Sequence, residues 1–422
     1  MGAGAFGQAV SIGIQVTSLP LFLSHWDAST YGTWLLLSAM PSYLSMADVG
    51  MVATAGNRMT MAMGRGDAAE ANSIFHSAFA FVTLMCLALC AITAPIVLLA
   101  PDGTLANWDQ KLAVMSLVVG VLLAMFGGLS DALFRATNRY ALGTMLGNVI
   151  RIAEWAGYMV GLFFIGTFSG VACCGLVARL LGIVMTVVVS SRGSHALTWG
   201  WHQAHAAEIK AMLKPALSFM AFPLANALSF QGVTLLVGHY FGPATVALFN
   251  TYRTISRVAV QVTGIFGHSL WVEFSTLFGK GGAKAVEALY RRAFWIGLSS
   301  SVGISVLLYF VAPMLLKAWS HGQIPFEATP MALLLVYAAL GGFWHVPRVM
   351  LLSTNQHFSL AQWALASAGL VVALIFAIQA SFGLPGICAA MVVAELLIAV
   401  VCMWLAHRVF TTHSQPLQVS RA

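Results

Sequence analysis

Charge is what this chain has least of: Asp, Glu, Lys and Arg together make up 8% of its 422 residues, where a soluble domain spends roughly a quarter on them. With 59% hydrophobic residues and a mean hydropathy of +0.87, too little polar material remains for a water-facing shell, which excludes a soluble enzyme. Long polar stretches are missing as well. The gaps between apolar runs are short, so no extramembrane domain fits and a single-anchor protein is excluded. The opening residues, MGAGAFGQAVSIGIQV, lack the basic region and cleavage site of a secretory signal. They read as a spanning helix, whose abrupt start leaves open an origin upstream of Met1. Paired cysteine spacing is absent too. Cys86, Cys90, Cys173, Cys174, Cys388 and Cys402 all fall within apolar runs with no histidine cluster beside them. Disulfide and metal readings therefore find no support, and no cofactor is expected.

What is present is a succession of apolar runs, each long enough to cross a hydrocarbon core. They predict an all-α integral membrane protein with about 12 transmembrane helices, at 2–23, 33–57, 73–98, 112–134, 143–166, 171–190, 214–238, 244–275, 286–316, 330–353, 359–381 and 387–407. The formal charge of +7 would suggest nucleic acid in a soluble chain. Here it is sorted by membrane side. With the amino terminus inside, Arg58, Arg65, Arg135, Arg139, Arg192, Lys210, Lys214, Lys280, Lys284, Arg291, Arg292, Arg348, Arg408 and Arg421 fall on inner loops, span ends or the tail, against Lys111 and Lys317 outside. The positive-inside rule then puts both termini in the cytoplasm.

The longest polar gap, residues 191–213, falls mid-chain and reads as a cytoplasmic amphipathic linker, with Trp199, Trp201, Ile209, Met212 and Leu213 suited to the headgroup layer. The parts on either side look related. Gly64-Arg65-Gly66-Asp67-Ala68 aligns with Gly279-Lys280-Gly281-Gly282-Ala283, Thr137-Asn138 with Thr354-Asn355, and His25 with His239, all at one nearly constant offset. This predicts a duplicated bundle: a six-helix lobe over 1–190, a second over 214–407, and a cytoplasmic tail over 408–422.

Tyr31-Gly32, then an apolar helix carrying Asp48-Val49-Gly50, then Gly64-Arg65-Gly66-Asp67 opening the next helix, resembles the polysaccharide-exporting branch of the multidrug/oligosaccharidyl-lipid/polysaccharide superfamily. That branch includes the Wzx-type flippases of O-antigen, capsule and exopolysaccharide units. The resemblance covers essentially the whole chain. It implies two six-helix lobes around a central cavity that alternates between inward-facing and outward-facing states. The implied cargo is an undecaprenyl-diphosphate-linked oligosaccharide, moved across a bacterial inner membrane. Implied partners are membrane lipid, a polysaccharide polymerase and a chain-length regulator, with no nucleic acid.

Charges inside spans cost about 2.5–3.5 kcal/mol or more each and are functional by default. Arg253 and Arg257, four apart, share a helical face and offer planar donor forks suited to a diphosphate. The alternative is that they satisfy helix carbonyls or a carboxylate such as Glu395. Arg151 and Glu154 are spaced for an intrahelical pair. Its alternative is an Arg151 that faces the cavity while Glu154 holds it. Arg179 has no local acid and either lines the cavity or bridges within its lobe. Asp48, with His268 as a companion, is the candidate for proton or cation coupling, against a helix-packing hydrogen bond beside Gly50. Trp155, Tyr158, Tyr252, Trp271, Phe343 and Trp344 could stack on sugar rings or simply pack. Gly143/Gly147 and Gly157/Gly161 suggest close helix contacts, and Pro223 a helix bend. A cation-coupled multidrug exporter using Asp48 is the nearest rival reading, and a membrane-embedded polymerase a more distant one. Deep cations outnumber deep acids, which favours anionic cargo, and no catalytic residue is expected.

Overall fold

In lipid, a backbone N–H with no water nearby must find a carbonyl in its own segment, and this dictates helices for a chain of such composition. The computed structural model describes residues 2–48, 50–101, 105, 107–192, 197–219, 221–279, 283–353 and 358–413. Its order is α1 (Gly2–Leu23), α2 (Ala28–Ser42), α3 (Met51–Gly64), α4 (Ala68–Leu98), α5 (Trp108–Ala136), α6 (Tyr140–Phe164), α7 (Phe168–Arg192), α8 (Ala206–Phe219), α9 (Ala221–Ala227), α10 (Val233–Gly279), α11 (Ala283–Trp319), α12 (Ala328–Phe343), α13 (His345–Ser353) and α14 (Phe358–His413). No strand occurs among the described residues. Polar side chains start the helices between spans: Asp27 accepts from Thr30 N at 2.7 Å, Asp67 from Glu70 N at 2.8 Å and Asn107 from Gln110 N at 3.0 Å. The Thr30 hydroxyl and N–H hold the Asp27 carboxyl below the usual carboxylate range.

The chain forms two compact units, Met1–Pro223 and Leu224–Ala422. Among the described residues eight helices are long and apolar enough to cross a membrane, nine if 28–46 and 51–64 form one broken span. Two of the eight exceed a bilayer's thickness and break at glycine. Gly242 (φ 79°, ψ 174°) divides α10 and Gly383 (φ 59°, ψ −147°) divides α14, backbone conformations open essentially to glycine alone. A proline follows closely in each case, Pro243 and Pro385. Counting both arms, and adding α6, gives the predicted complement of about 12 spans.

Within the first unit α6 and α7 run in close contact. A Cβ on Gly157 would lie 2.5 Å from Cys174 O, and one on Gly161 would lie 2.5 Å from Gly170 O, so this glycine pair works as its spacing predicts. Gly143 abuts Phe134, whereas Gly147 meets nothing within 4 Å. The span expected over 33–57 is not continuous. A 3-10 turn, Tyr43–Met46, and left-handed Gly50 (φ 76°) separate α2 from α3, and the two arms are bent by 42°.

Residues 197–213 pack with the first unit. Thr198 N donates to Asn72 Oδ1 (2.9 Å), Gln203 N to His76 Nδ1 (3.1 Å) and His205 N to Ser77 Oγ (3.0 Å), while His76 Nε2 bonds Thr198 O (2.8 Å). A backbone N–H can only donate, so Nδ1 accepts and Nε2 carries the proton. Trp199 stands edge-on to Phe75 and Phe79, with ring centroids 4.9 and 5.6 Å away. Met212 is fully buried, and Glu208 pairs with Arg58 at 2.8 Å. Part of the apolar face expected to meet headgroups therefore turns inward, while Trp201 and Leu213 remain exposed.

Candidate functional site

Each unit holds a polar centre in its apolar wall. In the first, Arg179 on α7 reaches α6 and α5 together: Nη2 meets Glu154 Oε2 at 2.5 Å and Nη1 donates to Gly120 O at 2.7 Å. The other Glu154 oxygen accepts from Tyr158 OH at 2.7 Å. The intrahelical Arg151–Glu154 pair suggested by spacing does not form. Glu154 faces α7, and Arg151 instead donates to Ser11 Oγ on α1 at 2.7 Å. One turn on, Trp155 Nε1 donates to Ser18 Oγ at 3.0 Å. Of the two readings of Arg179, bridging within the lobe is the one observed; Arg151 is the exposed cation of this group.

In the second unit a π-helical turn, Leu228–Gly232, lies ahead of α10. Pro223, where a helix bend is expected, lies in α9 five residues ahead of this turn. The wide turn presents the Phe230 carbonyl, and Arg253 Nη1 donates to it at 2.9 Å. Arg253 Nη2 donates to Thr234 Oγ1 at 2.8 Å and also to Asn250 Oδ1. Arg253 is 5% exposed. Arg257, one turn further, is exposed, and its guanidinium lies 4.5 Å from the Phe230 ring centroid, with Arg253 at 4.1 Å from the same ring. Neither arginine pairs with Glu395. Glu395 Oε1 accepts instead from Trp344 Nε1 at 2.7 Å. The helix-carbonyl alternative thus describes Arg253, whereas Arg257 has no hydrogen bond or ion pair among the described residues.

Asp48 sits in the break between α2 and α3. Its oxygens accept from Gly50 N (3.1 Å) and Val52 N (3.4 Å), bonds within its own segment at the start of α3 rather than the expected bond to a packed helix. The side chains of His268 and Trp271 lie outside the described residues, as do Val49 and the 354–355 pair. Tyr252 is fully buried, donating to Pro325 O (2.6 Å) and accepting from Glu327 N (2.7 Å), so it packs. Among the described residues no three His, Cys, Asp or Glu side chains gather as a metal site would require. Sequence reasoning missed Phe230, Thr234, Asn250, Ser11 and Ser18. Only Asn250, three before Arg253, had a spacing that could have marked it.

No family model matches the chain, and no curated protein does. Solved structures do. One is an inward-facing conformation of a multidrug resistance MATE family transporter of the MOP superfamily, 12% identical, covering 96% of this chain and 95% of that one with a TM-score of 0.78. An outward-facing conformation of such a transporter is 13% identical over 98% and 96%, with a TM-score of 0.66. A MOP superfamily transporter from Pyrococcus furiosus, described as having a binding pocket of reverse polarity that suggests a different function, is 13% identical over 97% and 94%, with a TM-score of 0.67. A multi-pass helical membrane protein with two breaks at Gly-Pro corners and a polar centre in each unit thus has the fold of the MATE transporters of the MOP superfamily.

Proposed function

We propose that this chain is an alternating-access exporter that flips an undecaprenyl-diphosphate-linked oligosaccharide from the cytoplasmic to the periplasmic leaflet of a bacterial inner membrane, supplying a surface-polysaccharide polymerase and its chain-length regulator. The observation that carries this reading is Arg257. It is an exposed guanidinium on an apolar helix, without a carboxylate among the described residues, backed one turn away by buried Arg253. A cation left without an acid in a membrane helix costs free energy unless something anionic visits it. A diphosphate matches the fork of Arg257 and the field of the pair. In this reading Arg257 receives the diphosphate and Arg253 sets the local geometry. Arg151 is the first unit's cargo contact, and Arg179 keeps Glu154 fixed behind it. Asp48 and His268 stay as coupling candidates. The likeness to inward-facing and outward-facing neighbours supports alternating access, and the basic inner loops support cytoplasmic termini.

The neighbours named for multidrug resistance keep a second reading in play, export of cationic compounds, and one experiment separates the two. On depletion of the protein, lipid-linked oligosaccharide is expected to accumulate on the cytoplasmic leaflet while surface glycan falls. Unchanged glycan together with heightened sensitivity to cationic dyes would decide for the drug exporter.

A further inference from the structure

Tyr337 is a polar side chain of the second unit that the cargo reading leaves unused. It sits on α12, half-buried, and among the described residues its hydroxyl makes no hydrogen bond. A hydroxyl held in an apolar wall without a partner costs free energy that a phenylalanine would not.

Two contacts set the register of α12 against α10. Just ahead of α12, Tyr252 OH donates to Pro325 O (2.6 Å) and accepts from Glu327 N (2.7 Å). Near the end of α12, a Cβ on Gly341 would lie 3.3 Å from Val260 Cγ2. The two helices therefore advance in the same direction. Tyr337 falls between these contacts on α12, as Arg253 and Arg257 do on α10. The faces agree as well. Tyr337 precedes Gly341 by four residues and shares the face that meets α10, while Arg257 and Arg253 precede Val260 by three and seven and share the face that meets α12. Tyr337 accordingly lies within electrostatic range of both guanidinium groups. Glu395 is within that range too. Its hydrogen bond among the described residues comes from Trp344 Nε1, and the Tyr337 hydroxyl stays uncommitted.

The donors of the two arginines are spent unequally. Arg253 gives N–H groups to Phe230 O, Thr234 Oγ1 and Asn250 Oδ1, whereas Arg257 keeps its fork free among the described residues. One fork matches two oxygens of a single phosphoryl group. A diphosphate brings a second phosphoryl group, whose oxygens need a donor of their own in so apolar a setting. On the facing helix, that donor is the hydroxyl of α12. We propose that Tyr337 donates a hydrogen bond to the second phosphoryl group of a diphosphate held by Arg257, and so sets the preference of this site for a diphosphate over a monophosphate. This rests on the reading that these arginines take a diphosphate, and it names the group that tells one phosphate from two. No covalent bond forms or breaks; the hydroxyl exchanges water for a phosphoryl oxygen.

The test uses the purified full chain with two soluble probes, symmetrical dimethyl diphosphate and dimethyl phosphate, their affinities measured by calorimetry. The unmodified protein should prefer the diphosphate. Tyr337→Phe keeps the ring and the packing and should weaken diphosphate binding by about tenfold or more, the worth of a hydrogen bond to a charged group. Monophosphate binding should be unaffected, so the preference itself shrinks. A preference that came from the extra charge of the diphosphate alone would survive in Tyr337→Phe, because both arginines remain, and that result overturns the proposal. A second readout keeps the hydroxyl in place: with 3-fluorotyrosine at position 337, the fluorine resonance should move on adding the diphosphate and stay put with the monophosphate. A resonance that stays fixed while the diphosphate binds overturns the proposal and leaves the flippase reading intact. Failure to bind the diphosphate, or binding unaffected by Arg257→Ala, removes the diphosphate reading and this proposal with it.

Discussion

Arg179 and Glu154, on neighbouring helices, meet at 2.5 Å where Gly157 lets α6 and α7 come together, with side chains 22% and 12% exposed. The pair is thus part of the helix contact itself. Removing one partner strands the other in an apolar wall, a loss of about 3–5 kcal/mol for buried pairs. Arg179→Ala and Glu154→Ala should each lower the yield and melting temperature of detergent-purified protein. The double variant Glu154→Gln/Arg179→Met should recover much of that loss. Equal damage in singles and double would refute an ion pair.

The glycines of α6 should separate sharply. Gly161→Ala drives a methyl into the backbone of α7 and should destabilise the fold. Gly147→Ala meets open space and should be neutral, or stabilising by up to about 1 kcal/mol through helix propensity. Thermal stability of the two variants, measured side by side, checks this.

Arg253 and Arg257 should fail in different ways. Arg253→Ala takes one charged donor each from Phe230 O, Thr234 Oγ1 and Asn250 Oδ1, and hydrogen bonds to charged groups are worth about 1.5–3 kcal/mol each, so the amount of folded protein should drop. Arg257→Ala should leave abundance normal and reduce surface glycan, with Arg257→Lys intermediate because it keeps charge and loses the fork. Normal glycan in Arg257→Ala at normal abundance would send the search to Arg151.

The segment 197–205 should be held by His76. His76→Ala removes bonds to Thr198 and Gln203, and Trp199→Ala removes the contact with Phe75 and Phe79. Either change should speed proteolysis within 197–205 while the remaining helices stay intact. Unaltered cleavage would mean that the Asn72 and Ser77 bonds suffice.

Orientation is open to a direct check. Reporter fusions after Asp67 should be active in the cytoplasm, and fusions after Gln323 in the periplasm. A reversal at one of them would change the span count between them.

Hydropathy reads a membrane fold well where composition and backbone geometry change together. Gly242-Pro243 and Gly383-Leu384-Pro385 interrupt both, and the expected span boundaries fall there. At Asp48-Val49-Gly50 apolar residues continue on either side, so one left-handed glycine breaks the helix without altering the average. Partners of charged residues were less legible. Spacing along one helix reveals neighbours on that helix alone, which is why Arg151 looked like the mate of Glu154 when the mate stands on α7. The glycine pair 157/161 succeeded for the complementary reason: small side chains announce that something approaches, without saying what.

The π-turn ahead of α10 also bears on how the second unit can be probed. Arg253 grips the main-chain oxygen of Phe230, an atom every amino acid supplies. Scanning position 230 by side-chain replacement would therefore erase the aromatic plate that both guanidinium groups approach and leave the grip untouched. Only replacing the amide linkage there with an ester, which weakens that carbonyl as an acceptor, would tell the plate from the handle.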